Sequence, residues 1–177
     1  MVQAVEKSQQ LEGFESPQAG RLSARERAAQ IVARAGALPP APFDAITEAA
    51  IEQLVRRFYG RVLTDQTLGP VFAAAIPGDW EPHLTKMFAF WSSVMLTSGR
   101  YKGNPFLAHA RHDSIEEAHF AVWLALWSET AASLFVPELA AEFRAKAQNI
   151  ARALTAGLFA LTKSTPASTS ASTAAEA

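Results

Sequence analysis

The chain has 177 residues, 49% of them hydrophobic, enough to bury one real core and too few for two domains of ordinary size. Its 16 Lys and Arg against 17 Asp and Glu give a net charge of -1, so no global field draws it to nucleic acid or to an anionic membrane. Without cysteine it can have no disulfide framework, thiol nucleophile or thiolate metal site, and any metal must be held by His, carboxylate, Tyr or Met.

Residues 1 to about 20 are polar without sustained periodicity and read as a flexible arm. The start, MVQAVEKSQQLEG, lacks the apolar stretch of a signal peptide, and no run approaches the roughly 18 apolar residues of a membrane helix, so a cytoplasmic protein is expected. SARERAAQIVARAGAL, from Ser23 to Leu38, predicts an accessory amphipathic helix stopped by Gly36 and LPPAP. These segments make up an N-terminal extension over residues 1–43, ahead of a domain spanning 44–161.

The first core helix is predicted from Thr47, its N-cap, to Leu63, with Ile51, Leu54, Val55, Phe58 and Val62 as its stripe and Tyr59 beside it. A short helical LGPVFAAAI follows, and PGD then stops the chain and sets Asp79 to cap the next helix, WEPHLTKMFAFWSSVM. There His83, Met87, Phe90, Trp91 and Val94 share one face at helical spacing, so that face is expected to be buried. YKGNPFLAHARHD is too broken by Gly103 and Pro105 for more than a turn or two of helix. Ser114 to Glu117 reads as a capping box opening a helix with the stripe Phe120, Trp123, Leu124, Trp127, Ala131 and Leu134. Pro137 divides it from a last helix reaching to about Leu161, with Leu139, Phe143, Ile150, Leu154 and Leu158 inward. The Ser/Thr/Ala segment over 162–177 predicts a disordered tail. No run alternates as a strand does, so the fold class is all-α.

The four histidines, His83, His109, His112 and His119, all fall in the central third of the chain. Their order lacks the i, i+4 pair of a zinc helix, and the carboxylates Glu116, Glu117, Glu138 and Glu142 sit at helix starts, where the macrodipole accounts for them. No nucleophile elbow, phosphate loop or dinucleotide fingerprint is present. A flat cofactor makes better use of the residues. A reversal at SGRYKGNP would bring His83 and His109 face to face across a slot walled by Phe58, Phe72, Met87, Phe90, Trp91, Phe106 and Trp123. Haem suits such a slot, with imidazole as its iron ligand. The simplest competing assignment is a cofactor-free helical interaction module whose aromatics are all core.

The segments FYGRVLTDQTLGPVF, WEPHLTKMFAFW, GRYKGNPFLAH and HFAVWLALW, in that order and spacing, resemble the group III truncated haemoglobins, the bacterial two-over-two globins, over roughly residues 44 to 161. The chain also shares with that group the absence of a paired-glycine signature. The resemblance implies a globin-like two-over-two helical sandwich carrying haem b. It implies His109 as the proximal iron ligand, His83 as the distal histidine, and Tyr59 and Trp123 as further groups facing the bound ligand. Phe90, Trp91, Met87 and Phe106 would line the haem, and Lys86, Arg100, Tyr101, Lys102 and Arg111 are candidates for its propionates, which need charge or donors at the pocket mouth. The chain departs from the pattern in its long N-terminal extension, its tail, and the closeness of His112 to His109. The implied function is reversible binding of O2, NO or CO. The alternative is NO dioxygenation or peroxide chemistry, which would require a reductase.

Overall fold

Thr47 starts the first long helix as its spacing from Ile51 predicts: its hydroxyl accepts from the Ala50 N–H at 3.2 Å. In the computed structural model, residues 22–160 are described; the arm expected over residues 1 to about 20 and the tail expected from 162 lie outside them. Among the described residues seven helices follow in order: α1 (Ala24–Ala33), α2 (Glu48–Thr64), α3 (Leu68–Ala75), α4 (Glu81–Leu96), α5 (Pro105–His109), α6 (Glu117–Leu134) and α7 (Pro137–Phe159). Among the described residues there is no strand, only an isolated bridge between Phe43 and Phe135, and no helix long and apolar enough to cross a membrane.

The predicted stripe of α2 is completely buried at Ile51, Leu54, Val55, Phe58 and Val62. This face lets α2 pack on α4 in one layer and on α6, which with α7 forms the other, giving a two-over-two sandwich. Phe58, Trp91, Trp127 and Phe143 fill the space where the layers meet. The segment before α2 is pinned to the α6–α7 junction by two backbone hydrogen bonds, Phe43 N–H to the Leu134 carbonyl at 2.8 Å and Val136 N–H to the Phe43 carbonyl at 3.0 Å.

Three expectations change in detail. The helix expected to open at Ser114 begins at Glu117, because hydrogen bonds from the N–H groups of His112 and Ile115 to the carbonyls of His109 and His112 hold residues 109–115 in turns. Glu116 takes over the capping box, with His119 Nδ1 accepting from the Glu116 N–H at 3.0 Å. On α4 the buried positions are Leu84, Trp91 and Ser92, while His83, Met87, Phe90 and Val94 are only half-buried, since it is Trp91 that stacks on Trp127 of α6 and Ser92 that donates to Glu48 of α2. On α7 small residues join the inward face, Ala140, Ala147 and Ala151 with Phe143 and Leu154, and Leu139, Ile150 and Leu158 lie partly buried at its margins; close packing against α6 favours alanine there.

Helix α1 is docked, not merely tethered. Ser23 and Glu26 close the capping box at its start, and Gly36, at φ +76°, turns the chain after it. It lies so close on α2 that a Cβ at Gly60 would meet Val32 Cγ2 at 2.4 Å. Arg27 donates to the Gly78 carbonyl, Arg57 to the Gly36 carbonyl at 2.9 Å, and Arg34 pairs with Glu81 at 2.8 Å. Glu81 also receives both terminal nitrogens of the buried Arg56, at 2.9 and 3.1 Å, so one carboxylate ties α1 and α2 to the first turn of α4. The Arg56 bonds hold the Glu81 carboxyl below its usual range.

Candidate functional site

His83 lies two residues beyond that tie, in the first turn of α4, whose start is fixed by Asp79 accepting from the Glu81 N–H at 3.0 Å. Its ring meets Tyr59 of α2 edge-on, centroids 4.9 Å apart and planes at 88°. Tyr59, only 4% exposed, is fenced by further edge contacts with Phe58 at 5.0 Å, Phe72 at 5.8 Å and Trp80 at 5.9 Å. Burial raises the Tyr59 phenol well above its usual range, so it remains a hydrogen-bond donor at neutral pH.

The His83 imidazole titrates at about 4: burial disfavours its cation first, and Lys86 and His109 oppose the charge as well. It is therefore neutral at pH 7. Its Nε2 is buried with no hydrogen-bond partner among the described residues. An orphaned buried polar atom costs about 1–3 kcal/mol, so this one is suited to a ligand that supplies a donor or an acceptor.

His109 ends the five-residue α5, which Asn104 caps by accepting from the Leu107 N–H at 3.1 Å and Pro105 opens at N1. Its Nδ1 is 2.7 Å from the Pro105 carbonyl, an acceptor only, so Nδ1 carries the proton and Nε2 keeps its lone pair. That arrangement orients a metal-binding imidazole. The ring lies 6.3 Å from that of Phe120 on α6. The other two histidines are placed differently: His112 is exposed, and His119 is spent in the α6 cap. Among the described residues no three His, Asp or Glu side chains converge into a metal-ion site.

Trp123 is half-buried on α6, stacked flat on Trp127 and met edge-on by Phe58 at 5.5 Å, so Phe58 links it to Tyr59. Met87 and Phe90 are half-buried on α4, whereas Trp91 is turned into the core against Trp127. Phe106, 39% exposed, lies over Gly157 of α7, where a Cβ would meet its ring at 2.7 Å. Of the basic and phenolic candidates, Lys86, Lys102 and Arg111 are exposed, Arg100 is engaged with Glu48 at 2.8 Å, and Tyr101 is half-buried with its ring edge on Phe90. Sequence reasoning passed over Trp80, which touches both Tyr59 and, at 5.8 Å, His83. Its place one turn before His83 was the available signal.

A family profile described as bacterial-like globin matches residues 41–155. The chain is 31% identical over 112 residues to the group 3 truncated hemoglobin ctb of Campylobacter jejuni, covering 62% of this chain and 88% of that protein. The crystal structure of group III truncated hemoglobin from Campylobacter jejuni superposes with a TM-score of 0.64 at 30% identity, covering 67% of this chain and 95% of that one.

Proposed function

The chain belongs to the bacterial-like globins, among the group III truncated haemoglobins, and from that premise we propose that it is a haem b protein that reversibly binds O2, and also NO and CO. The observation that carries this reading is the donor set: a His109 ring whose Nδ1–H is committed to Pro105, and a neutral His83 whose buried Nε2 has no partner among the described residues. His109 Nε2 would hold the iron of a haem, which would supply the coordination position for the gas. Met87, Phe90 and Phe106, with Trp91 behind them, form the apolar surroundings, and Lys86, Arg111 and Tyr101 serve the propionates.

The chain's own contribution is on the distal side. Tyr59 and Trp123 carry O–H and N–H donors that are uncharged at neutral pH, so they enter an apolar pocket at modest desolvation cost. Haem, when bound, would supply an iron site that polarises a diatomic gas, and preorganised donors such as Tyr59 and Trp123, in a site that excludes water, would hold it. His83 is a secondary donor or gate. Absorption spectra of the ferric, ferrous and CO forms test the reading: a Soret band that shifts on reduction and again with CO supports it, and a colourless protein refutes it in favour of a cofactor-free helical module. NO dioxygenation, the enzymatic alternative, would use the same donors and require a reductase partner. A membrane or nucleic-acid partner is not proposed, and the site of action is taken as the cytoplasm.

A further inference from the structure

The end of α4 and the loop after it are tied to the start of α2 by one carboxylate. Glu48, the first residue of α2, accepts from the Ser92 hydroxyl at 2.6 Å on one oxygen and pairs with Arg100 at 2.8 Å through the other. The macrodipole accounts for an acid at that position, but not for both of its oxygens being taken by another segment. The Ser92 bond, ahead of Arg100, holds the carboxyl below its usual range, so it is ionised at neutral pH and can only accept. Ser92 therefore spends its one proton on Glu48, and the Ser98 hydroxyl, 2.7 Å away, must donate to Ser92. The Arg100 pair is about half-exposed and contributes little. Ser92 is completely buried, so the weight of the tie falls on the line from Ser98 through Ser92 to Glu48.

The loop is strained where it is held. Thr97 stands at φ +55°, left-handed backbone that is unfavourable for a β-branched residue and persists only where its surroundings hold it. Tyr101 closes the fold-back: its N–H donates to the Ser93 hydroxyl oxygen at 2.8 Å, and its ring meets Phe90 edge-on at 5.2 Å. From there the contact runs on toward α5. The Tyr101 ring lies over Gly103, where a Cβ would meet its hydroxyl oxygen at 2.5 Å, and the next residue, Asn104, caps α5. A bond to iron can draw so short a helix into place, but the loop sets the point from which it is drawn.

We infer that Glu48 is a positioning residue for His109: through Ser92 and Ser98 it latches the loop between α4 and α5, and the latched loop, through Tyr101, Gly103 and Asn104, sets where α5 presents its histidine. The inference rests on the haem reading above. Glu48 touches neither His109 nor any other candidate residue of the pocket except Arg100, so it acts through the loop. Its effect falls on how firmly the haem is kept and how the His109 ring is aimed, not on the gas directly.

The test has one arm without haem and one with it. In the full haem-free chain, amide hydrogen exchange at Tyr101 should be about tenfold faster in Glu48→Ala than in the wild type, the worth of one hydrogen bond to a charged group, while amides in the middle of α2 and α6 keep their rates. In the haem-loaded protein, Glu48→Ala should lose haem to an excess of a scavenging globin about tenfold faster, and the iron–histidine band of its ferrous resonance Raman spectrum should shift. A role confined to fold stability would leave that band in place. Ser98→Ala cuts the same line from the loop side without touching α2, and should change both arms in the same direction even if Glu48→Ala disturbs that helix. Tyr101 exchange within about twofold of wild type in both variants overturns the latch. Faster exchange, with haem loss and the iron–histidine band as in the wild type, overturns the positioning of His109 alone. A wild type without a Soret band overturns the haem reading and this inference with it.

Discussion

Removing one oxygen atom from the distal side should change O2 release far more than CO release. Tyr59→Phe keeps the ring among the same neighbours, His83 at 4.9 Å, Phe58 at 5.0 Å, Phe72 at 5.8 Å and Trp80 at 5.9 Å, so its packing is unchanged and only the hydroxyl is lost. A hydrogen bond to a charged partner contributes about 1.5–3 kcal/mol. If that bond is already broken in the transition state for release, the O2 off-rate rises roughly ten- to hundredfold. CO carries little charge when bound, so its off-rate should move by less than about threefold, a difference under 1 kcal/mol. Trp123→Phe should act in the same direction, and His83→Leu less strongly. Because Phe58 touches both Tyr59 and Trp123, the double variant is expected to depart from additivity. Stopped-flow release of O2 and CO measures all of these. If Tyr59→Phe, Trp123→Phe and His83→Leu all left the O2 off-rate within about twofold of wild type, the three would be core packing and the distal mechanism would be wrong.

His109→Ala should abolish stable haem retention and His112→Ala should leave it intact, as read from the Soret absorbance after gel filtration; the reverse pattern would exchange their roles. Gly60→Val should destabilise the chain by about 1–3 kcal/mol in urea unfolding, because the new Cβ would lie 2.4 Å from Val32 Cγ2, and Val32→Ala in the same chain should recover part of the loss. For pH the sign follows from His83, whose folded pKa is lowered from 6.5 to about 4. The unfolded chain then binds the extra proton, so stability is full above about pH 6.5 and falls by up to about 3 kcal/mol as the pH drops toward 4. Urea unfolding of the haem-free chain at several pH values should show that fall, flattened in His83→Phe; an equal slope in both would show that other groups cause it.

The helices were legible because their signals are local. A 3.6-residue stripe, a Thr at position 47 and a Pro at position 137 each act within one turn, and α2 and α7 start where those residues place them. The start of α6 was misplaced for a matching reason: Ser114 has the right spacing to Glu117, but the turns that follow His109 reach as far as Ile115 and leave Glu116 as the first residue free to cap. His109 stands out in the sequence as a candidate through its register after Pro105, whereas the Pro105 carbonyl that fixes its tautomer depends on how tightly α5 winds. Two kinds of feature left no trace in the pattern. Gly60 has no side chain to register in a hydrophobic period, yet it determines how close α1 comes. The stacking of Trp91 on Trp127 joins helices far apart in sequence, and each residue alone reads as ordinary core.

These features together give the proposed site two unequal sides. Two of the proposed distal residues, Tyr59 and His83, stand on α2 and α4, long helices of 17 and 16 residues, and Glu81 locks the start of α4 to Arg34 at the end of α1 and Arg56 of α2. Helix α1 presses on the turn of α2 that carries Tyr59, so the Tyr59–His83 contact is braced from behind by a segment that precedes the region matched to the globin family. The His109 side rests on five helical residues between loops, held by the Asn104 cap, the His109–Pro105 hydrogen bond and the Phe106 ring over Gly157. Donors that must meet a small polarised ligand gain from such bracing, since a preorganised donor pays little reorganisation when the ligand arrives. A ligand to iron depends less on it, because the bond it forms is strong enough to draw a short helix into place. Residues 22–43 of the extension therefore bear on the proposed site, through Val32 against Gly60 and Arg34 on Glu81, although none of them is among its candidate residues.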